Sequence, residues 1–296
     1  MSYPFIQLTF LKSGLFTTIQ DPGRRHLGGF GVPAGGWLDE KSALQANWLA
    51  GNHPYTPLLE ITIQGPKIRF SGSVQIAITG ADISPKLNEQ PVPRYQTIRV
   101  SQGDVLSFGR LNQGCRAYLA IRGKWKVEKE LGSYSLLFRG KIQPTQRGFI
   151  NNNSQILIES KPSIQQRNIE PKDQLVINNP QTIRVLPGPE FDWFSREEIG
   201  QFFSYHYQLS TDSNRMGCRL EGHPLTRDSG VELISSGVIP GTVQIVNNGQ
   251  PVILLADAQT TGGYPRFVNV MSEDMDKVAQ LKPGDKLRFQ LVPLVK

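Results

Sequence analysis

Cysteine is nearly absent from this sequence: 296 residues contain only Cys115 and Cys218. The two form no Cys-x-x-Cys pair and no His–Cys cluster, which argues against a disulfide scaffold and a structural zinc site. Both sit in apolar surroundings, where a cysteine serves as a small buried residue, and such usage fits a reducing compartment. The four histidines, His26, His53, His206 and His223, form no spaced pair, so neither a zinc motif nor a Ser-His-Asp triad has local support. Long hydrophobic runs are missing too. Runs such as Val252–Ala256 are far too short to span a bilayer, and Met1–Phe10 lacks the basic stretch and apolar core of a signal peptide. The expected location is the cytoplasm. There is no Walker pattern, which excludes a P-loop. Nor is there a basic block. The net charge is +7, from 32 basic and 25 acidic residues, yet the densest stretch, Lys124–Lys129, is interrupted by Trp125, Val127 and Glu128. It reads as a mixed, solvated surface rather than a nucleic-acid interface, and the positive charge favours anionic ligands only weakly.

What the sequence does contain is many short β-rich runs punctuated by Gly, Asn and Pro. Gln75–Ile78, Arg116–Ile121, Gln155–Ile158, Thr242–Val246 and Pro251–Leu255 predict a mostly β protein of sandwich or barrel type. Three helices are expected. The first covers about Asp39–Asn52, capped by Asp39 and stopped near Gly51. The second starts near Ser195, with Glu198 as capping-box partner. The third starts near Ser272, with Met275, Val278 and Ala279 facing inward and Pro283 beyond it. A weak internal duplication is also visible. Glu60–Gly65 matches Glu232–Gly237, Gly80-Ala81-Asp82 matches Leu255-Ala256-Asp257, and Gly103–Phe108 matches Gly284–Phe289, in the same order. The reading is two similar β domains, 1–178 and 179–296.

Three segments combine polar residues with glycine. In the first, Thr17–Arg24 and Gly31–Asp39, the carboxylates Asp21 and Asp39 are candidate acid, base or metal groups; the plainer readings are a turn residue before Pro22-Gly23 and a helix cap. In the second, Ser213–Leu220, Arg215 and Arg219 stand four apart. An arginine pair suits a carboxylate or phosphate, and the plainer reading is two surface ion pairs. The third, Asp257–Arg266, offers Gln259, Thr260, Thr261 and Arg266 among glycines, a set able to hold an anion or simply to make a β-turn.

At these segments the sequence resembles the family of the 5-oxoprolinase C-subunit, also described as kinase-inhibitor antagonist, allophanate hydrolase subunit 2 or biotin-dependent carboxyltransferase-like. The resemblance is carried by Thr18–Arg24, Gly31-Val32-Pro33, Leu38-Asp39, Gly80-Ala81-Asp82, Tyr118-Leu119-Ala120 and Leu131-Gly132-Ser133, and most specifically by Val185–Pro189, Ser213–Leu220 and Asp257–Pro265. It implies two cyclophilin-like β-barrel domains with a few short helices. It implies one component of a 5-oxoprolinase complex, working with a B-type partner chain and with an A-type partner chain to open 5-oxoproline to glutamate using ATP with Mg2+. The alternatives it leaves are a carboxyltransferase component of a urea carboxylase-like system, and a non-catalytic regulator that binds its partner. For carboxyl transfer biotin would sit on another chain, since no Ala-Met-Lys-Met occurs here. The resemblance points to Asp21 and Asp39 as metal-binding or proton-transfer groups, with no metal site assigned. It points to Gln20, Arg24, Asn214, Arg215, Arg219, Gln259, Thr260, Thr261, Gly262, Gly263 and Tyr264 for substrate or nucleotide. The chain departs from the family pattern at Gly123–Lys126, at Tyr134 where arginine is usual, at Phe138–Ile142 and at Ser235-Ser236-Gly237, mostly in its first half.

Overall fold

The computed structural model describes residues 4–137, 148–227 and 233–293. The divergent segment Phe138–Ile142, and Glu232 of the expected repeat, lie outside the described residues. The chain divides into two compact units. One comprises residues 1–24 and 35–175, the other residues 25–34 and 176–296.

The first unit is built from two sheets. Seven strands run, in spatial order, Lys124–Trp125, Gln155–Glu159, Phe5–Lys12, Lys67–Phe70, Val105–Phe108, Pro85–Leu87 and Gln90–Pro91. Five more run Phe16–Gln20, Leu58–Thr62, Gln113–Ile121, Val74–Asp82 and Thr97–Val100. Alternation dictates how they pack. Ile6, Leu8 and Phe10 are buried while Gln7 and Thr9 are not, so one face of the first sheet meets Leu59, Ile61, Ile76 and Ile78 of the second. The second sheet is buried on both faces. Helix α1, Glu40–Leu49, covers its outer side through Ala43, Ala46 and Leu49 against Ala77, Tyr118 and Ala120. Asp39 caps α1 as expected, accepting from Ser42 N at 2.8 Å.

The second unit is a closed seven-stranded barrel. Around it run Gln181–Pro187, Arg266–Val270, Thr242–Ile245, Pro251–Leu254, Gly217–Glu221, Tyr207–Leu209 and Lys286–Leu291, which returns to the first strand in parallel pairing. Phe202 of helix α2, Arg196–Ser204, joins its aromatic core, stacked 4.6 Å from Phe289 and edge-on 4.8 Å from Phe267. Ser195 caps α2, accepting from Glu198 N at 3.2 Å. The third predicted helix is split: Ser272–Asp274 is a 3-10 turn, and only Met275–Ala279 is α-helix (α3).

The mostly β fold is therefore as expected, and at the Gly-Asp match the two strands that follow pair differently. Val105–Phe108 pairs antiparallel with both neighbours, whereas Lys286–Leu291 pairs parallel with one and antiparallel with the other. What the two Gly-Asp sites share is a turn. Gly103 and Gly284 both have left-handed φ, +88° and +89°, and Asp104 and Asp285 each accept from the backbone N–H three residues earlier.

Asp274 is the polar anchor of this unit. It binds Arg184 through two oxygens at 2.8 and 3.0 Å and Lys277 at 2.7 Å. Burial works against its charge, but the hydrogen bonds from Arg184 and Lys277 outweigh it and lower the pKa from 3.8 to about 2. A depressed carboxylate stabilises the fold above its unfolded value and stops doing so as pH falls through the folded value. Urea unfolding should show wild-type stability dropping between about pH 4 and pH 2. Asp274→Asn should lose about 2 kcal/mol at pH 7 and flatten that pH dependence; an unchanged midpoint would remove Asp274 as the anchor.

Candidate functional site

The candidates in the first unit are engaged in holding it together. Asp21 ends the strand Phe16–Gln20 and accepts four hydrogen bonds: from Gly23 N (2.9 Å), Ser133 Oγ (2.5 Å), Ser135 Oγ (2.7 Å) and Tyr134 N (2.9 Å). A carboxylate has about four acceptor positions, so protein donors fill this one. Arg24, also buried, donates to the carbonyls of Glu130 (3.1 Å) and Ser135 (2.5 Å). Together they fasten residues 130–135 to the strand end. Gln20 is buried and donates to Thr18 Oγ1 at 3.0 Å. Asp39 is the helix cap, fully buried, accepting from Ser42 Oγ at 2.7 Å as well. Its own N–H donates to the Tyr118 hydroxyl (2.8 Å), which donates to Glu60 (2.8 Å). Burial, then the Glu60 carboxylate, push the Tyr118 phenol well above its ordinary value, so it stays a donor. These groups form an internal polar layer beneath α1.

The second unit holds an open site on the outer wall of its barrel. Register creates it. Arg219 pairs with Val252, and Val252 with Gln244, so the three stand in one row across adjacent strands about 4.8 Å apart. Their chain neighbours Cys218, Ile253 and Val243 point the opposite way, into the core. Residues 257–264 fold over this row. Gly262 comes so close that a β-carbon there would lie 2.7 Å from Gln244 Nε2, and Gln244 donates to the Tyr264 carbonyl at 3.1 Å. The result is a pocket of about 150 Å3 lined by Asn214, Arg219, Gln244, Gln259 and Tyr264, with Met216 and Val252 as apolar walls. The Gln259 amide reaches the Gln244 oxygen at 3.4 Å. Arg219 is exposed, and its guanidinium has no ion-pair or hydrogen-bond partner among the described residues.

The two arginines of Ser213–Leu220 thus have different roles. Arg215 does not line the pocket. Its side chain and that of Asp257 are only 5% and 3% exposed, and they form a two-point pair at 2.8 and 3.1 Å. Asp257 N also donates to the Arg215 carbonyl at 3.1 Å. Arg266 is likewise paired, with Glu190 at 2.7 Å. Thr261 runs in a short ribbon, Thr261–Gly262 against Ser236–Gly237, the Thr260 carbonyl accepts from Val238 N at 3.0 Å, and Gly263 lines a neighbouring, larger cleft. Sequence reasoning missed Gln244. Its signal was present as the polar, outward position in Thr-Val-Gln-Ile, but a single glutamine on a strand is unremarkable until register sets it beside Arg219.

This division has a direct test. Arg215→Ala leaves the Asp257 carboxylate buried without its guanidinium and should destabilise the protein by about 3–5 kcal/mol. Arg219→Ala, at an exposed site, should stay within about 0.5 kcal/mol of wild type. Thermal unfolding reads both, and a wild-type midpoint for Arg215→Ala would refute the structural role.

Comparison with known proteins identifies the family. Residues 30–291 match the family described as carboxyltransferase domain, subdomain A and B. The chain is 35% identical over 284 residues to the 5-oxoprolinase C-subunit of Escherichia coli (strain K12), covering 95% of this chain and 90% of that one. It is 34% identical over 305 residues to urea amidolyase of Saccharomyces cerevisiae, covering 95% of this chain but 16% of that one. Among solved structures, the Kluyveromyces lactis urea carboxylase superimposes with a TM-score of 0.88 at 30% identity, over 99% of this chain and 28% of that one. Another, at 28% identity and TM-score 0.85, is matched over 96% of this chain and 55% of its own. With the family match spanning most of its length, the chain belongs to the carboxyltransferase domain family, subdomains A and B.

Proposed function

We propose that this chain is the substrate-binding component of an ATP-dependent complex that opens 5-oxoproline to glutamate. The observation that carries the reading is the barrel-wall pocket, in which the guanidinium of Arg219 stands beside the amides of Gln244, Gln259 and Asn214. 5-Oxoproline has one carboxylate and one lactam. A guanidinium matches the first through two parallel hydrogen bonds, and a glutamine amide, both donor and acceptor, matches the second. At about 150 Å3 the pocket is smaller than the roughly 300–1,000 Å3 of clefts that enclose drug-sized ligands, as a five-membered ring requires.

A lactam resists water because its nitrogen lone pair is delocalised into the carbonyl. Phosphorylation of the lactam oxygen by ATP removes that protection. Arg219 holds the carboxylate, and Gln244 and Gln259 orient the ring so that the carbonyl oxygen faces the donor. Water then attacks the activated carbon, the ring C–N bond breaks with the nitrogen leaving as the amine, and a second water displaces phosphate from the resulting acyl phosphate to release glutamate. Among the described residues no group of three or more His, Cys, Asp or Glu could hold a metal ion, so magnesium would arrive with the nucleotide. The relatives from E. coli and Haemophilus influenzae are each named as one lettered component of 5-oxoprolinase. That naming supports partner chains, here of the B type and the A type. No helix among the described residues is long and apolar enough to cross a membrane, and the proposed complex is placed in the cytoplasm.

A second reading, carboxyl transfer, is favoured by the urea amidolyase relatives at 33% and 34% identity. Arg219 would then face a carboxyl group delivered by biotin on another chain. Urea itself carries no carboxylate, which is why the first reading is preferred. The assay is 5-oxoproline-dependent release of phosphate and glutamate by the chain alone and by the chain co-purified with its partners. Turnover is expected only in the complex, and Arg219→Ala should raise KM about 10–100-fold with the fold intact. A complex that ignores 5-oxoproline but carboxylates urea from carboxybiotin would sink the first reading and establish the second.

A further inference from the structure

Three groups of the small pocket form a hydrogen-bonded chain that has a direction. The Tyr264 carbonyl can only accept, so the Gln244 atom facing it at 3.1 Å is the amide nitrogen. The Gln244 oxygen is thereby turned toward Gln259. An oxygen of that kind also only accepts, so the Gln259 atom at 3.4 Å is again the nitrogen. Gln244 is buried, with the Gly262 backbone close against its amide. The orientation is therefore set inside the protein before any ligand arrives.

What remains open is one edge of Gln259. Its oxygen and the second hydrogen of its nitrogen have no protein partner among the described residues, and the residue is exposed at the pocket. The groups around it donate. Arg219 brings a guanidinium, and the Asn214 oxygen is already taken by Met216 N at 2.8 Å, which leaves the Asn214 NH2. Gln259 thus supplies the free amide acceptor of the pocket, with a donor next to it. Its complement is an N–H and a C=O on the same side of one planar C–N bond. An open-chain secondary amide is trans and puts the two on opposite sides. Closure of a five-membered lactam forces them onto the same side.

We propose that Gln259 is the specificity-determining residue of this pocket, reading the cis N–H and C=O edge of a cyclic amide through two hydrogen bonds, with Gln244 as the positioning residue that fixes its direction. The proposal rests on the reading of the small pocket as a lactam site. The ring N–H donates to Gln259 Oε1, and the ring carbonyl accepts from Gln259 Nε2. Arg219 holds the carboxylate. The ring carbonyl keeps its second lone pair free. A ring ester of the same size sets an acceptor where the N–H stood, facing the Gln259 oxygen, so it loses one bond and meets a like dipole. The opened product has no such edge, because a carboxylate only accepts. The same amide therefore holds the closed ring and releases the open chain.

The test is calorimetric titration of 5-oxoproline and of its ring-oxygen isostere, 5-oxotetrahydrofuran-2-carboxylate, into the full chain and into the co-purified complex, for wild type, Gln259→Met and Gln244→Met. Pyrrolidinone and butyrolactone, the same two rings without the carboxylate, are titrated in parallel. Wild type should prefer 5-oxoproline to the isostere at least about tenfold, and each variant should shrink that preference to within about twofold. Gln259→Met, at an exposed position, should keep the wild-type melting temperature, and it decides alone if Gln244→Met melts early. Equal binding of the two acids by wild type, or a preference that survives in the folded variants, overturns the proposal and leaves the 5-oxoproline reading standing. If neither acid binds but pyrrolidinone is still preferred to butyrolactone through Gln259, the amide edge stands and the 5-oxoproline reading falls. Binding of none of the four overturns both.

Discussion

The candidate site depends on the buried pair between Arg215 and Asp257. Arg215 lies just before the strand Gly217–Glu221, and Asp257 lies just after Pro251–Leu254, the adjacent strand. Two desolvated charges are costly unless they meet with good geometry, and here they meet at two points with a backbone hydrogen bond between the same residues. Such a pair is weak evidence for stability but strong evidence for position. It fixes where residues 257–264 leave the barrel, and so where Gly262, Gln259 and Tyr264 come down over Gln244.

The pocket is then a consequence of pleat and register. Strands whose inner residues fill a barrel must present their alternate residues outward, and the pairing Arg219–Val252–Gln244 puts a cation, a methyl pair and an amide in one row. The first unit shows the other use of an outward sheet face. There Thr18, Glu60, Tyr118 and Thr79 also stand in one row, but α1 lies over it. Asp39, Ser42 and Tyr118 satisfy one another and Glu60, and Thr79 donates to the Ser42 carbonyl. One row of polar groups is closed against ligand and the other is open to it.

Much of this was legible in the sequence. Turn chemistry and period-two runs located the strands, and the caps Asp39 and Ser195 located two helices, because those signals are local. The polar segments around residues 214–219 and 257–264 were also visible, and the structure brings Asn214, Arg219, Gln259 and Tyr264 together. What local reasoning could not see was partnership. Arg215 and Arg219 look equivalent in sequence, and only the fold sets a carboxylate from 42 residues away against the first and, among the described residues, none against the second. For Asp21 and Asp39 the sequence leaves chemistry and a turn or cap role both open for the same reason: their partners, Ser133, Ser135 and the Tyr118–Glu60 chain, come from distant parts of the sequence. Of the apparent repeat, the Gly-Asp pair shares the same turn at Gly103 and Gly284.

The approach of Gly262 to Gln244 has a consequence for how this site can change over time. One wall is backbone, and a β-carbon at Gly262 would meet the end of the Gln244 side chain at 2.7 Å, so the amide would have to give way. Accumulated substitutions can therefore narrow the site from that side but cannot widen it. A lineage, or a designer, seeking room for a six-membered ring must work through Met216 and Val252 opposite. Ring-size discrimination is thus divided between a fixed side and an adjustable one, and new substrate ranges would be reached by trimming the apolar wall.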